Sequence, residues 1–191
     1  IVSLGFSKKI IKRNNSKLGD DIYVTGNLGD SFTGLNILKN KISINKKLNK
    51  YFINKYYLPD LPLKIHKYLI KFANTSIDIS DGLFADLKKL INNQKLGYQI
   101  YSDFLPISKN LKLYLKKNKK NSLNYISRGD DYQIIFTSSK KNRSYINNLS
   151  YRINQKVTLI GTITNQSNQY QIIDNEKQLK SLNYEGYFHE F

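Results

Sequence analysis

The chain has 191 residues, with 31 lysines and arginines against 14 aspartates and glutamates, a formal charge of +17, and no cysteine, methionine or tryptophan. The missing cysteine excludes a disulfide-stapled fold, a thiolate metal site and a cysteine nucleophile, and no apolar run approaches the roughly 18 residues of a membrane-spanning helix. The chain therefore reads as soluble and cytoplasmic, and its start at Ile1 rather than at a methionine reads as that of a fragment lacking an upstream segment.

Residues 1–19 are basic and irregular, a leading segment to a single domain over 20–191. Residues 21–25 alternate and are β-branched, which predicts a strand ended by Gly26, and Asp30 or Ser31 then caps a helix over 32–38. A lysine- and tyrosine-rich stretch over 41–57 carries a helix that stops at Pro59 and Pro62. Ile65, Tyr68, Leu69 and Phe72 recur at i, i+3, i+4 and i+7, predicting an amphipathic helix packed on a sheet. A short strand over 76–80 turns at Asp81-Gly82 into a helix whose Leu83, Leu87, Leu90 and Ile91 share a face. Residues 97–101 form the next strand, 105–108 lead into and cap a lysine-rich helix, and 116–122 form a solvated loop. A strand over 132–137, a helix through Tyr145, Ile146 and Leu149, and strands over 157–163 and 170–173 complete the series. No repeat or long linker divides the chain. The fold class is α/β (α+β), a mixed sheet with helices packed on it.

Six of the 14 acidic residues fall in three pairs, Asp20/Asp21, Asp78/Asp81 and Asp130/Asp131. Two carboxylates about 4 Å apart repel by roughly 4 kcal/mol at an effective dielectric of 20, so a converged pair needs a cation or a shared proton, and three clusters at strand ends can converge on a metal. In an extended strand Asp78 and Ser80 point to one side and Asp81 lies at the turn, so the three can meet at one edge of the sheet. Aspartate oxygens suit magnesium, and amides at the next helix N-terminus suit phosphate. The same spacing fits a helix cap beside a partly exposed strand end, and Asp130-Asp131 after Arg128-Gly129 fits a turn with an internal ion pair. Residues 26–34 match neither a Walker loop nor a dinucleotide fingerprint, and neither His66 nor His189 has a partner that would make a hydrolase triad.

Only four of the basic residues are arginines, Arg13, Arg128, Arg143 and Arg152, whereas base reading and bidentate phosphate recognition favour arginine. Lysine, asparagine, isoleucine and tyrosine share A/T-rich codons, so the charge reads as compositional background; a nucleic-acid-binding module is the rival reading.

Taken together the motifs resemble a family. Ile77-Asp78-Ile79-Ser80-Asp81-Gly82-Leu83, followed by Asp86-Leu87, resembles the "IDISDGL…DL" signature of thiamine-monophosphate kinases. Residues 19–31 resemble "GDxIYVTGxLGDS", residues 105–108 "LPLS", residues 129–137 "GEDYELLFT", and Gly186-Tyr187-Phe188-His189 the terminal "G-aromatic-DH". The resemblance implies the C-terminal lobe of a two-lobed enzyme of the aminoimidazole-ribonucleotide-synthetase-like superfamily, homodimeric when complete, which transfers the γ-phosphoryl group of ATP to thiamine monophosphate. It implies Asp78 and Asp81 as Mg2+ ligands, Ser80 and Arg13 as ATP contacts, and Asp130 and Tyr187 as substrate contacts. It assigns no residue as a general acid or base. The N-terminal lobe, with most of the magnesium ligands, is absent from this chain, which is then inactive alone. Asp130 stands where the family has glutamate, Pro62 where it has arginine and Phe188 where it has aspartate. A sister enzyme acting on another ATP-activated substrate is the second rival.

Overall fold

The computed structural model describes residues 5–6, 9–165 and 170–180. Its centre is a single sheet of β1 (Asp21–Thr25), β2 (Ala73–Asp78), β3 (Gly97–Tyr101), β4 (Ile134–Ser138), β5 (Val157–Thr164) and β6 (Tyr170–Ile173). The spatial order is β2-β4-β1-β5-β3-β6, and every neighbouring pair is antiparallel except β3 with β6. This is the expected mixed sheet. All five residues of β1 are buried, because the central strand is covered on both faces.

Period-two alternation sorts its side chains into two cores. Ile22 and Val24 join Ile77, Ile135 and Ile160 under α4 (Leu83–Leu90), which contributes Leu83, Phe84, Leu87 and Leu90. Each such side chain adds roughly 1.5–3 kcal/mol of apolar burial. Tyr23 faces the other way and stacks on Phe136 at 5.1 Å between ring centroids. Around that pair pack Ile65, Leu69 and Phe72, with Ile146 and Leu149 of α7 (Arg143–Arg152). A third cluster joins α1 (Asp30–Leu38), α2 (Lys46–Tyr57) and α5 (Lys109–Lys117) through Ile37, Phe52, Leu111 and Tyr114. Among the described residues no helix is long and apolar enough to cross a membrane.

Several expectations shift. The apolar series at 65–72 contains only a four-residue helix, α3 (His66–Leu69), because the chain must already enter β2 at Ala73; Ile65, Leu69 and Phe72 are buried all the same. β2 starts earlier than the predicted 76–80, its polar opening anchored where the Thr75 and Thr137 hydroxyls bond at 2.9 Å. β4 starts two residues later than predicted, since Tyr132 has φ 50° and cannot join a ladder. Neither Asp30 nor Ser31 caps α1: Gly29 is the cap residue, and Asp30 instead accepts from Ser108 Oγ at 2.7 Å and Tyr51 OH at 2.8 Å. Ser108 does cap α5, accepting from Leu111 N at 3.0 Å. The short α6 (Leu123–Ile126) was not predicted, being too brief to show a period.

Candidate functional site

Strand direction decides which acidic pairs can meet. The register matches Asp78 with Ile134, and Val24 with Ile135, so β1 and β2 finish where β4 begins. That end of the sheet gathers Asp78, Ser80, Asp81, Asp130 and Asp131. Asp21 pairs with Ser138 at the opposite end, so the three pairs do not converge on one cation. Asp21 is fully buried, and its carboxylate accepts from Arg143 Nε at 2.6 Å and Nη2 at 2.7 Å. Asp20 accepts from the backbone N–H of Lys17 at 2.9 Å and from Asn74 Nδ2 at 2.7 Å. The first acidic pair is structural.

At the other end two loops lock together. Ile79 N donates to Gln133 O at 2.7 Å, Tyr132 N to Ile79 O at 3.0 Å and Asp130 N to Ser80 O at 3.0 Å. The approach leaves no room for side chains at two positions. A Cβ on Gly129 would stand 1.7 Å from the Ser80 carbonyl oxygen, and one on Gly82, at φ 119°, 2.1 Å from that of Ser127. Asp130 and Tyr132 take φ of 68° and 50°, left-handed conformations that cost roughly 1–3 kcal/mol each and that the interlocked backbones maintain.

The result is a cleft of about 580 Å³ lined by Ser80, Asp81, Arg128, Asp130, Tyr132 and, on its far wall, Phe32. The Arg128 guanidinium lies over the Phe32 ring at 5.2 Å. Burial, and then the charge of Asp81, push the Asp130 carboxyl above its ordinary range. Burial, followed by the charges of Asp130, Asp78 and Asp81, raises the Tyr132 phenol. Asp78 is exposed at the end of β2, beside this cleft.

The structure therefore brings Ser80, Asp81 and Asp130 to one cleft, with Asp78 at the strand end where its charge reaches Tyr132. Arg13 is not among them: it is exposed, and the next residue, Asn14, donates its backbone N–H to Leu90 O at 2.9 Å, at the far end of α4. Eight helical residues, about 12 Å, separate it from Asp81. Tyr187, Phe188 and His189 lie outside the described residues.

Two further carboxylates of the motifs, Asp131 and Asp86, build the site in roles that their place in the sequence does not announce. Asp131 is fully buried and accepts from Gly29 N at 2.8 Å and Ser31 N at 3.5 Å, so it satisfies the α1 N-terminus from across the fold. Burial pushes its pKa up to about 8, against the pull of those two amides. Asp86, also buried, accepts from the backbone N–H groups of Ser80 and Asp81. Its place in the "DL" of the signature was the available signal.

The donor set suits a hard cation, since every candidate ligand is a carboxylate oxygen. Among the described residues no three histidine, cysteine, aspartate or glutamate side chains stand close enough to hold a metal by themselves. Magnesium fits here if phosphate oxygens and water complete its shell, the manner in which it is commonly bound.

No protein-family model matches the chain. It is 39% identical over 177 residues to the thiamine-monophosphate kinase of Buchnera aphidicola subsp. Schizaphis graminum, a match covering 90% of this chain and 53% of that protein. It is 35% identical over 139 residues to the Aquifex aeolicus thiamine-monophosphate kinase, covering 72% of this chain and 45% of the relative. The chain thus spans about half the length of the curated relatives it matches. The crystal structure of thiamine-monophosphate kinase from Stenotrophomonas maltophilia K279a superposes with a TM-score of 0.76 at 26% identity, covering 85% of this chain and 52% of that one. A solved structure described as AaThiL complexed with AMPPCP and TMP gives a TM-score of 0.74 at 30% identity, covering 93% and 54%. Escherichia coli HypE, a hydrogenase maturation protein, shares the fold alone at 12% identity, with a TM-score of 0.66 over 93% of this chain and 53% of HypE. The fold is aminoimidazole-ribonucleotide-synthetase-like.

Proposed function

The chain is homologous to thiamine-monophosphate kinases over about half of their length, and from that premise we propose that it is the C-terminal lobe of an enzyme that phosphorylates thiamine monophosphate to thiamine diphosphate with ATP. The observation that carries the reading is the cleft that Ser80, Asp81 and Asp130 line at the end of β2, beyond Asp78, on segments that resemble the family motifs.

On this reading Asp78 and Asp81 hold magnesium jointly with nucleotide phosphate oxygens. The ion would neutralise charge on the phosphates during transfer. The Ser80 hydroxyl donates to a nucleotide phosphate. Asp130 turns its carboxyl into the cleft, where a cationic thiazolium gains from a nearby negative charge. Tyr187 supplies an aromatic face to the same cation. Arg13 belongs with the nucleotide phosphates, in a part of the site completed by the remainder of the enzyme. The acceptor is itself a phosphate and needs no strong base, which agrees with a site that offers positioning and charge. The complete enzyme is then a cytoplasmic homodimer.

The test is to incubate the complete protein with ATP, magnesium and thiamine monophosphate and to separate the products. Thiamine diphosphate and ADP should appear in equal amounts, and this chain alone should form neither. Phosphorylation of another acceptor, with thiamine monophosphate left untouched, would overturn the substrate assignment.

A further inference from the structure

Asp86 lies in the first turn of α4, fully buried, yet it does not cap that helix. The amides it binds, those of Ser80 and Asp81, precede the helix, and the cap position is held by Gly82, which has no side chain to offer. A buried carboxylate must be compensated by several hydrogen bonds, and Asp86 divides its bonds between its two oxygens. Oδ2 accepts both loop amides at 2.9 Å. Oδ1 accepts from Lys89 Nζ at 2.9 Å, and the same ammonium also reaches the Asp81 carboxylate. Burial works against the Lys89 charge, but hydrogen bonds to Asp81 and Asp86 outweigh it and leave its pKa above the usual lysine value.

We propose that Asp86 is the positioning residue of the site, keying the backbone and the carboxylate of the Ser80-Asp81 turn to one buried group. The proposal rests on the phosphoryl-transfer reading above and deepens it. One oxygen fixes where the turn runs, and the other, through Lys89, fixes which way Asp81 points. It also has a consequence for ligand binding. The Ser80 and Asp81 amides are consumed by Asp86, so they cannot cradle a phosphate, and recognition falls to the Ser80 hydroxyl, the carboxylates and any cation they hold.

Three variants of the complete protein separate the two arms. Asp86→Ala removes both, Asp86→Asn keeps an oxygen for the amides but loses the bond to Lys89, and Lys89→Met removes the ammonium that joins Asp86 to Asp81 while leaving the two amide bonds in place. The readouts are kcat and KM for ATP, the thermal midpoint, and amide hydrogen exchange at Ser80 and Asp81. A displacement of about 1 Å can cost about 100-fold in rate. Asp86→Ala should therefore lower kcat about 100-fold and speed exchange at both amides. Asp86→Asn should restore the slow exchange and bring kcat to within about tenfold of wild type. Lys89→Met should lower kcat about tenfold and lower the thermal midpoint, with exchange at the two amides still slow. Should Asp86→Ala fail to fold, the other two variants still decide. The proposal is overturned if Asp86→Asn and Lys89→Met move only the thermal midpoint and leave kcat and KM at wild-type values, or if exchange at Ser80 and Asp81 is as slow in Asp86→Ala as in wild type. If wild type makes no thiamine diphosphate, the functional reading fails instead, while the exchange measurement still judges the anchor.

Discussion

The two ends of the sheet are built from the same residue type and treat it in opposite ways. Where β1 begins, Asp21 is sealed from water and gripped through both oxygens by Arg143, while Asp20 takes a backbone amide and Asn74. Where β1 ends, Asp78 is exposed, Asp130 faces Asp81 across an open cleft, and the backbone beneath Asp130 and Tyr132 is held in left-handed conformations. A carboxylate saturated by the protein stabilises the fold and offers nothing to a ligand. Asp81 has Lys89 as a partner, but Asp78 and Asp130 are not gripped in the way that Asp21 is, and carboxylates gathered at an open cleft retain a capacity for a cation.

The contrast can be broken at its most constrained point. Gly129→Ala forces a methyl group against the Ser80 carbonyl, so the interlocked loops must separate. We expect a loss of about 4 kcal/mol in denaturant unfolding. A loss below about 1 kcal/mol would mean that the two loops are not held as described.

The next effect concerns the neighbour of Asp130. Asp131 is pushed up to about 8 in the folded chain, chiefly by burial, with Asp30 and Asp130 adding to the rise and the Gly29 and Ser31 amides opposing it. An unfolded aspartate titrates near 4, so the folded chain binds this proton more tightly. The contribution is full below about pH 4 and is lost as pH rises through 8, a change on the order of 4 kcal/mol between pH 5 and 8 by the linkage relation. Urea midpoints at the two pH values should differ markedly less in Asp131→Asn than in wild type. An unchanged difference would show that Asp131 is not the group responsible. At the opposite end of the sheet, Asp21→Asn should cost a smaller amount, about 2 kcal/mol, because Arg143 remains half exposed and regains water when its partner is weakened.

Much of this organisation is legible in the residues. Alternating and β-branched runs at 21–25, 97–101 and 157–163 correspond to β1, β3 and β5, and Asp81-Gly82 marks a turn from strand to helix. Asp78, Ser80, Asp81 and Asp130 are nominated by their clustering; Ser80, Asp81 and Asp130 line one cleft, and Asp78 stands exposed at the end of β2. What is not legible is pairing across the chain. Nothing near Asp21 in sequence announces Arg143, 122 residues away, so Asp20/Asp21 looks equivalent to the other pairs until the register separates them. Asp130 and Asp131 are adjacent, yet opposite side-chain directions send one into the cleft and the other to the α1 N-terminus, 102 residues earlier. The opening of β2 escapes detection because its Asn74 and Thr75 are polar and their partners, Asp20 and Thr137, are remote.

On the proposed function, one end of the sheet serves phosphoryl transfer and the other serves stability. This division is tested most directly by the rate of thiamine diphosphate formation in Asp78→Asn and Asp21→Asn of the complete protein, assayed at a temperature where both remain folded. The account predicts that Asp78→Asn lowers the rate by about 100-fold or more at an unchanged thermal midpoint, whereas Asp21→Asn lowers the midpoint and leaves the rate per folded molecule near wild type. Wild-type turnover in Asp78→Asn, or an equal loss of rate in the folded Asp21→Asn protein, would contradict it.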